Sequence, residues 1–207
     1  MTNPARQTPD TAALAGWLNS WMRSDGAIHG YHNHTVWGSH PFLVGDDWCG
    51  HSTFAAPLLP ALAEAVARGA GAETRERLDA GIRFQCGSRQ EDGQFAHIGF
   101  QVGERVTRGL VHTVVPAAAL CDAVAVADKA LPGDCADEVE RVVREVLEVS
   151  EEIYGAEVSE RTVANQEYIR LWARIAHMET FGHGDSNEVV RSDLDALIEH
   201  FHVPGLP

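Results

Sequence analysis

The stretch Leu110-Val111-His112-Thr113-Val114-Val115-Pro116-Ala117-Ala118-Ala119-Leu120-Cys121-Asp122-Ala123-Val124-Ala125-Val126-Ala127 decides the fold. Only His112, Thr113 and Asp122 in it are polar. A helix that is apolar nearly all round is either buried on every side or spans a membrane. This one is rich in alanine, carries Pro116 and Asp122, and only marginally reaches the length of a span, so it predicts a buried central helix. Pro116 lacks the N–H that a helix interior uses and should kink the helix or mark its first turns. His112 and Asp122 need partners in such a setting, with core hydrogen bonds the first expectation and a site role the second.

Working outward, the neighbouring segments have one apolar face each. Cys135 to Tyr154 places Val139, Val142, Val143, Val146, Val149 and Ile153 on one side and Glu140, Arg141, Arg144, Glu145 and Glu148 on the other. Arg161 to Phe181 points Tyr168, Leu171, Trp172 and Ile175 inward, and Val190 to Phe201 points Leu194, Leu197, Ile198 and Phe201 inward. Upstream, Thr11 to Ser24 carries Leu14, Trp17, Leu18 and Trp21 on one stripe. Ser52 to Arg68 carries Phe54, Leu58, Leu59, Leu62 and Val66 and stops at Gly69, and Glu73 to Cys86 stops at Gly87. No stretch alternates with period two, so an all-α fold of antiparallel helical hairpins is expected, with 11–207 as one domain after a flexible 1–10. Amphipathic helices around a wholly apolar one are what two packed layers produce. The hairpins recur every 45–55 residues or so, within the range of helical solenoids and toroids. No internal sequence repeat stands out.

Composition excludes several functions. The 207 residues carry a formal net charge of −14 and a pI near 5.1, a field that repels nucleic acid and anionic membranes, so neither is an expected partner. Lys129 is the single lysine, at an expected helix end, which argues against Schiff-base or phosphate-cradling chemistry. The first ten residues lack a basic segment leading into an apolar one, so no signal peptide is read and a cytoplasmic location is expected. Cys49, Cys86, Cys121 and Cys135 have no metal-ligand spacing and are expected as reduced thiols. There is no GxSxG elbow, Walker loop or HExxH motif, and no cofactor or metal is expected.

The chemistry-bearing residues gather in the loop from Asp25 to His51. Its His34, Trp37 and Trp48 suit stacking on, and hydrogen bonding to, a sugar ring, which has apolar faces and polar edges. Asp46 and Asp47 are adjacent, and like charges held together raise one pKa, keeping a carboxyl protonated as a general acid. The competing expectations are a plug over the hairpin ends and a helix cap. Arg170 lies on one helical stripe with Glu167, Arg174 and His177, where it either binds an acidic ligand or forms a solvated Glu167–Arg170 pair.

Gly81-Ile82-Arg83-Phe84-Gln85 followed by Gln90-Glu91-Asp92-Gly93-Gln94-Phe95 resembles the QW-type repeat of terpenoid cyclases and prenyltransferases, and the Asp-Gly-x-aromatic turn is similar to one in toroid glycoside hydrolases and polysaccharide lyases. The resemblance implies an (α/α) toroid, of which this chain spans about half, either as a fragment or closed by self-association. It implies an aromatic packed between hairpins, and a carbohydrate-active hydrolase or lyase acting on an oligosaccharide or other small molecule, with Asp46, Asp47 and Asp92 as catalytic carboxylates and Phe95 as a substrate-binding residue. Two alternatives are a non-catalytic helical scaffold that binds a protein and an isoprenoid-binding toroid.

Overall fold

A computed structural model describes residues 10–27, 56–95, 110–154, 164–182 and 187–201. Among them are seven α-helices and no strand, with one isolated antiparallel bridge between Arg89 and Phe95. The helices are α1 (Thr11–Asn19), α2 (Leu58–Ala67), α3 (Ala72–Gly87), α4 (Leu110–Ala127), α5 (Gly133–Tyr154), α6 (Ala164–Phe181) and α7 (Asn187–Phe201). The all-α expectation holds.

Helix α4 has the bounds its composition predicted and runs through Pro116. It packs against α2, α5 and α6, and Val114, Ala117, Ala118, Leu120, Cys121 and Ala123 are fully buried. Burying a side chain such as Val114 or Leu120 contributes roughly 1.5–3 kcal/mol, and the alanines between them let the neighbouring helices approach closely. The side of α5 that carries Val139, Val142, Val143 and Val146 closes over it.

Two layers result. Helices α2, α4 and α6 lie side by side in one, α3 and α5 side by side in the other, and each hairpin (α2–α3, α4–α5, α6–α7) joins the layers. The α2–α3 turn is tight because Gly69 takes φ +91, letting Gly69 N–H donate to the Val66 carbonyl and Ala70 N–H to the Ala65 carbonyl. In the second layer Arg83 of α3 donates to Asp134 and Glu138 of α5, at 3.1 Å each, and Arg89 pairs with Glu145, so the two helices run parallel. Antiparallel hairpins on a parallel second layer make α2, α4 and α6 parallel too.

Lateral contacts in the second layer repeat at one spacing. Asn19 bonds Thr74, Arg77 bonds the Met22 carbonyl and Arg83 bonds Glu138, each across 55 residues. The sequence does hold a repeat once the layers are known. Ala61-Leu62-Ala63-Glu64-Ala65-Val66-Ala67 of α2 returns in α4 as Ala119-Leu120-Cys121-Asp122-Ala123-Val124-Ala125. The buried series Thr74, Leu78, Gly81, Ile82, Gln85 and Cys86 of α3 returns in α5 as Cys135, Val139, Val142, Val143, Val146 and Leu147. The sequence reading missed this because the α4–α5 turn is longer than the α2–α3 turn, which puts the two halves of the repeat at different offsets.

Three expected stripes are turned. In α1 the inward residues are Ala15 and Leu18, joined by Met22 just after the helix, while Trp17 is 57% exposed and meets Trp21 edge to face, with ring centroids 5.9 Å apart. In α7, Val190 and Leu197 are buried, whereas Leu194 and Ile198 are exposed. In α6 the inversion is nearly complete: Leu171 is inward as expected, but Tyr168 and Trp172 are exposed, and the polar stripe Glu167, Arg170, Arg174 and His177 is buried. The cause of this last inversion lies on the neighbouring helices.

Candidate functional site

Of the residues singled out from sequence, His34, Trp37, Asp46, Asp47 and Trp48 lie outside the described residues. Asp92, Phe95 and Arg170 are described: the first two share the turn after α3, and Arg170 lies on α6.

Asp92 and Phe95 sit in the turn that follows α3. Gln90 N–H donates to the Gln94 carbonyl at 2.8 Å and Gly93 N–H to the Gln90 carbonyl at 3.0 Å. Gly93 has φ +81, a left-handed conformation, and a methyl there would come within 2.7 Å of a Val149 methyl. The Asp92 carboxylate accepts from the Gln94 backbone N–H (3.2 Å) and side-chain amide (3.1 Å), which fixes the turn. The Gln94 side-chain oxygen in turn accepts from the Thr113 hydroxyl at 3.4 Å, tying the turn to the first turn of α4. Phe95 is 1% exposed and part of the core. Phe95 is therefore packed in the core, where it offers no surface to a substrate, and the substrate-binding expectation for it is corrected. Gln85 bonds Ser88 locally, and Gln94 is the glutamine that reaches the next helix.

Arg170 is fully buried and held by carboxylates from three helices. Its Nε donates to Glu167 of α6 at 3.0 Å, its Nη1 pairs with Glu151 of α5, and its Nη2 lies 3.7 Å from Asp193 of α7. Arg174 donates to the same Asp193 at 2.6 Å. His177 stacks at a tilt on Phe181, 5.5 Å between centroids. Buried charges persist only where partners replace water, and here α5 and α7 each supply one. The stripe is neither a solvated face nor a cavity lining, and the guanidinium of Arg170 faces protein carboxylates.

With the polar stripe of α6 turned toward α5 and α7, the opposite side of α6 is exposed. Tyr168 and Trp172 stand there, 38% and 41% exposed, with Glu179 two helical turns beyond Trp172. Across from Glu179, Asp122 of α4 is half-buried. Burial pushes its carboxyl above the ordinary carboxylate range, and the nearby charge of Glu179 pushes it further. Thr180 donates to the Cys121 carbonyl at 3.4 Å, which fixes this register between α4 and α6. In the repeat Asp122 takes the place of Glu64, which pairs with Arg68 at 2.6 Å, whereas Asp122 has a carboxylate for its neighbour. Asp92 belongs to the other end of α4: nine residues separate Thr113 from Asp122, about 13 Å of helix. The sequence singled out Asp122 but no partner for it, and the signal that would have drawn attention to Asp122 is the acid shared by the two Ala-Leu-x-acid-Ala-Val-Ala repeats.

The described thiols are poor nucleophiles. Burial pushes Cys86 up to about 12 and Cys135 up to about 11, and raises Cys121 further. All three are buried and free. Among the described residues no group of three His, Cys, Asp or Glu side chains is placed to hold a metal ion, and no helix is long and apolar enough to cross a membrane. No protein-family model, curated protein or solved structure matches this chain.

Proposed function

We propose that the chain is a carbohydrate-active hairpin array of the (α/α) toroid kind, in which the exposed side of α6 binds an oligosaccharide and Glu179 there, with Asp122 of the neighbouring α4, hydrolyses a glycosidic bond. The observation that carries this reading is the Asp122 carboxyl, raised by burial and by Glu179 on a face that also presents two exposed aromatic rings. A carboxyl raised in this way holds its proton more tightly than an ordinary carboxylate and is the one to give it to the leaving-group oxygen, while the ionised partner takes a proton from the attacking water. Trp172 and Tyr168, one turn apart on α6, offer stacking surfaces for sugar rings beside the acid pair. Asp46, Asp47 and Asp92 form the second set of carboxylates to be tested.

The test is release of reducing ends from a panel of soluble polysaccharides by the wild type and by Asp122→Asn, Glu179→Gln and Trp172→Ala, with far-ultraviolet circular dichroism as the folding control. Loss of turnover in both carboxylate variants, with weaker substrate binding in Trp172→Ala, supports the assignment. Full turnover in Asp122→Asn removes it.

A second reading, a scaffold that binds a protein, draws support from Val189, Leu194 and Ile198, which α7 leaves exposed. It predicts partner binding that is lost on Leu194→Asp and indifferent to Asp122→Asn.

A further inference from the structure

At the end of the molecule where the hairpins turn tightly, a groove of about 510 Å³ opens between α2, the start of α3 and the end of α4. Val66 and Ala67 line one wall, Ala125 and Ala127 the other, and Arg75 and Lys129 stand at its sides. Every other described basic residue except Arg191 has a carboxylate partner within ion-pair distance. In a chain with a net charge of −14, acids are abundant, yet two of the three cations without one face the same groove. The α2–α3 turn consumes the carbonyls of Glu64, Ala65 and Val66 and leaves that of the groove residue Ala67 outside those bonds. The groove thus combines two positive charges with a helix-end acceptor, between walls of small side chains that leave room for a ring.

From this placement we infer a binding site for a small carboxylate that also carries hydroxyl groups. The carboxylate sits between Arg75 and Lys129, and a hydroxyl donates to the Ala67 carbonyl. Volumes of this size hold single small ligands. The site is independent of the proposed hydrolysis at Asp122 and Glu179, and holds or fails without it.

Lys129 is the only lysine, so it is also the reporter. Reductive ¹³C-methylation of the full chain keeps its charge and labels one side chain in addition to the terminal amine. Titration with D-glucuronate should shift the Lys129 methyl resonance saturably. D-glucose, which lacks the carboxylate, should leave it in place, and acetate, which lacks the hydroxyls, should bind more weakly. Arg75→Gln should weaken glucuronate binding about fivefold, the size of one exposed charge pair. Isothermal calorimetry on unlabelled Lys129→Gln should show a similar loss, and both variants should keep wild-type circular dichroism. A Lys129 resonance indifferent to glucuronate overturns the site. Shifts that persist unchanged in folded Arg75→Gln overturn it as well, and acetate binding as tightly as glucuronate overturns the hydroxyl contact.

Discussion

Arg170→Met isolates the buried ionic cluster. The wild-type guanidinium is 1% exposed and neutralises Glu167, itself 9% exposed, together with Glu151 and Asp193, which are 40% and 32% exposed. The two outer carboxylates keep contact with water, so losing Arg170 costs each at most about 0.5 kcal/mol, and Asp193 retains Arg174. Glu167 is different, because it is the buried partner, and removing one member of a buried pair costs about 3–5 kcal/mol. The expected loss is therefore about 4 kcal/mol, a drop in Tm of roughly 8–16 °C for a chain of this length. Urea and thermal unfolding followed by circular dichroism at 222 nm read both quantities. The double variant Arg170→Met/Glu167→Leu removes charge and countercharge together and should recover most of the loss. A loss below about 1 kcal/mol in the single variant, or no recovery in the double, would refute the view that the cluster is a mutually compensated buried network.

Two further predictions follow from titration and burial. The Asp122 carboxyl is raised in the fold above its ordinary value of 3.8, so the folded state holds its proton more tightly than the unfolded chain does. Its ionisation therefore destabilises the fold as pH rises through the folded-state value. Asp122→Asn should raise Tm at pH 7, and the gain should disappear below about pH 4; a gain that does not change with pH contradicts the burial argument. Cys86, Cys121 and Cys135 should resist a thiol reagent such as DTNB in the native protein and react together on unfolding. Native-state labelling of Cys121 at the rate of a free thiol would show that α4 is not the closed centre of the fold.

Much of the fold could be read from patterns carried by single helices. Leu110–Ala127 announced itself because no face was polar, and α5 because Val139, Val142, Val143 and Val146 recur at helical spacing. Reading failed where burial was decided by another helix. Tyr168 and Trp172 are apolar and were read as inward, yet α6 turns Arg170 inward because Glu151 and Asp193, each nineteen residues or more away, bring countercharge to it. Periodicity within one segment contains no information about such partners. The pairing of Asp122 with Glu179 escaped for the same reason: it depends on the lateral register of α4 and α6, which the Thr180–Cys121 contact reveals and no local motif encodes. Asp46, Asp47, His34, Trp37 and Trp48 stay as sequence-level candidates.

The parallel course of α2, α4 and α6 has a consequence for how such a chain can change. The described turns 68–71 and 128–132 both leave from one end of the molecule, while residues 88–95 follow α3 at the other. Each of these short segments is fitted to the helices it borders: Gly69 closes the first hairpin, Gly93 lies against Val149 of α5, and Gln94 is tied to Thr113 of α4. A residue gained or lost at any of them would have to be matched by a shift in the register of a whole hairpin, so variation in length there is inherited in step with the layers or not at all.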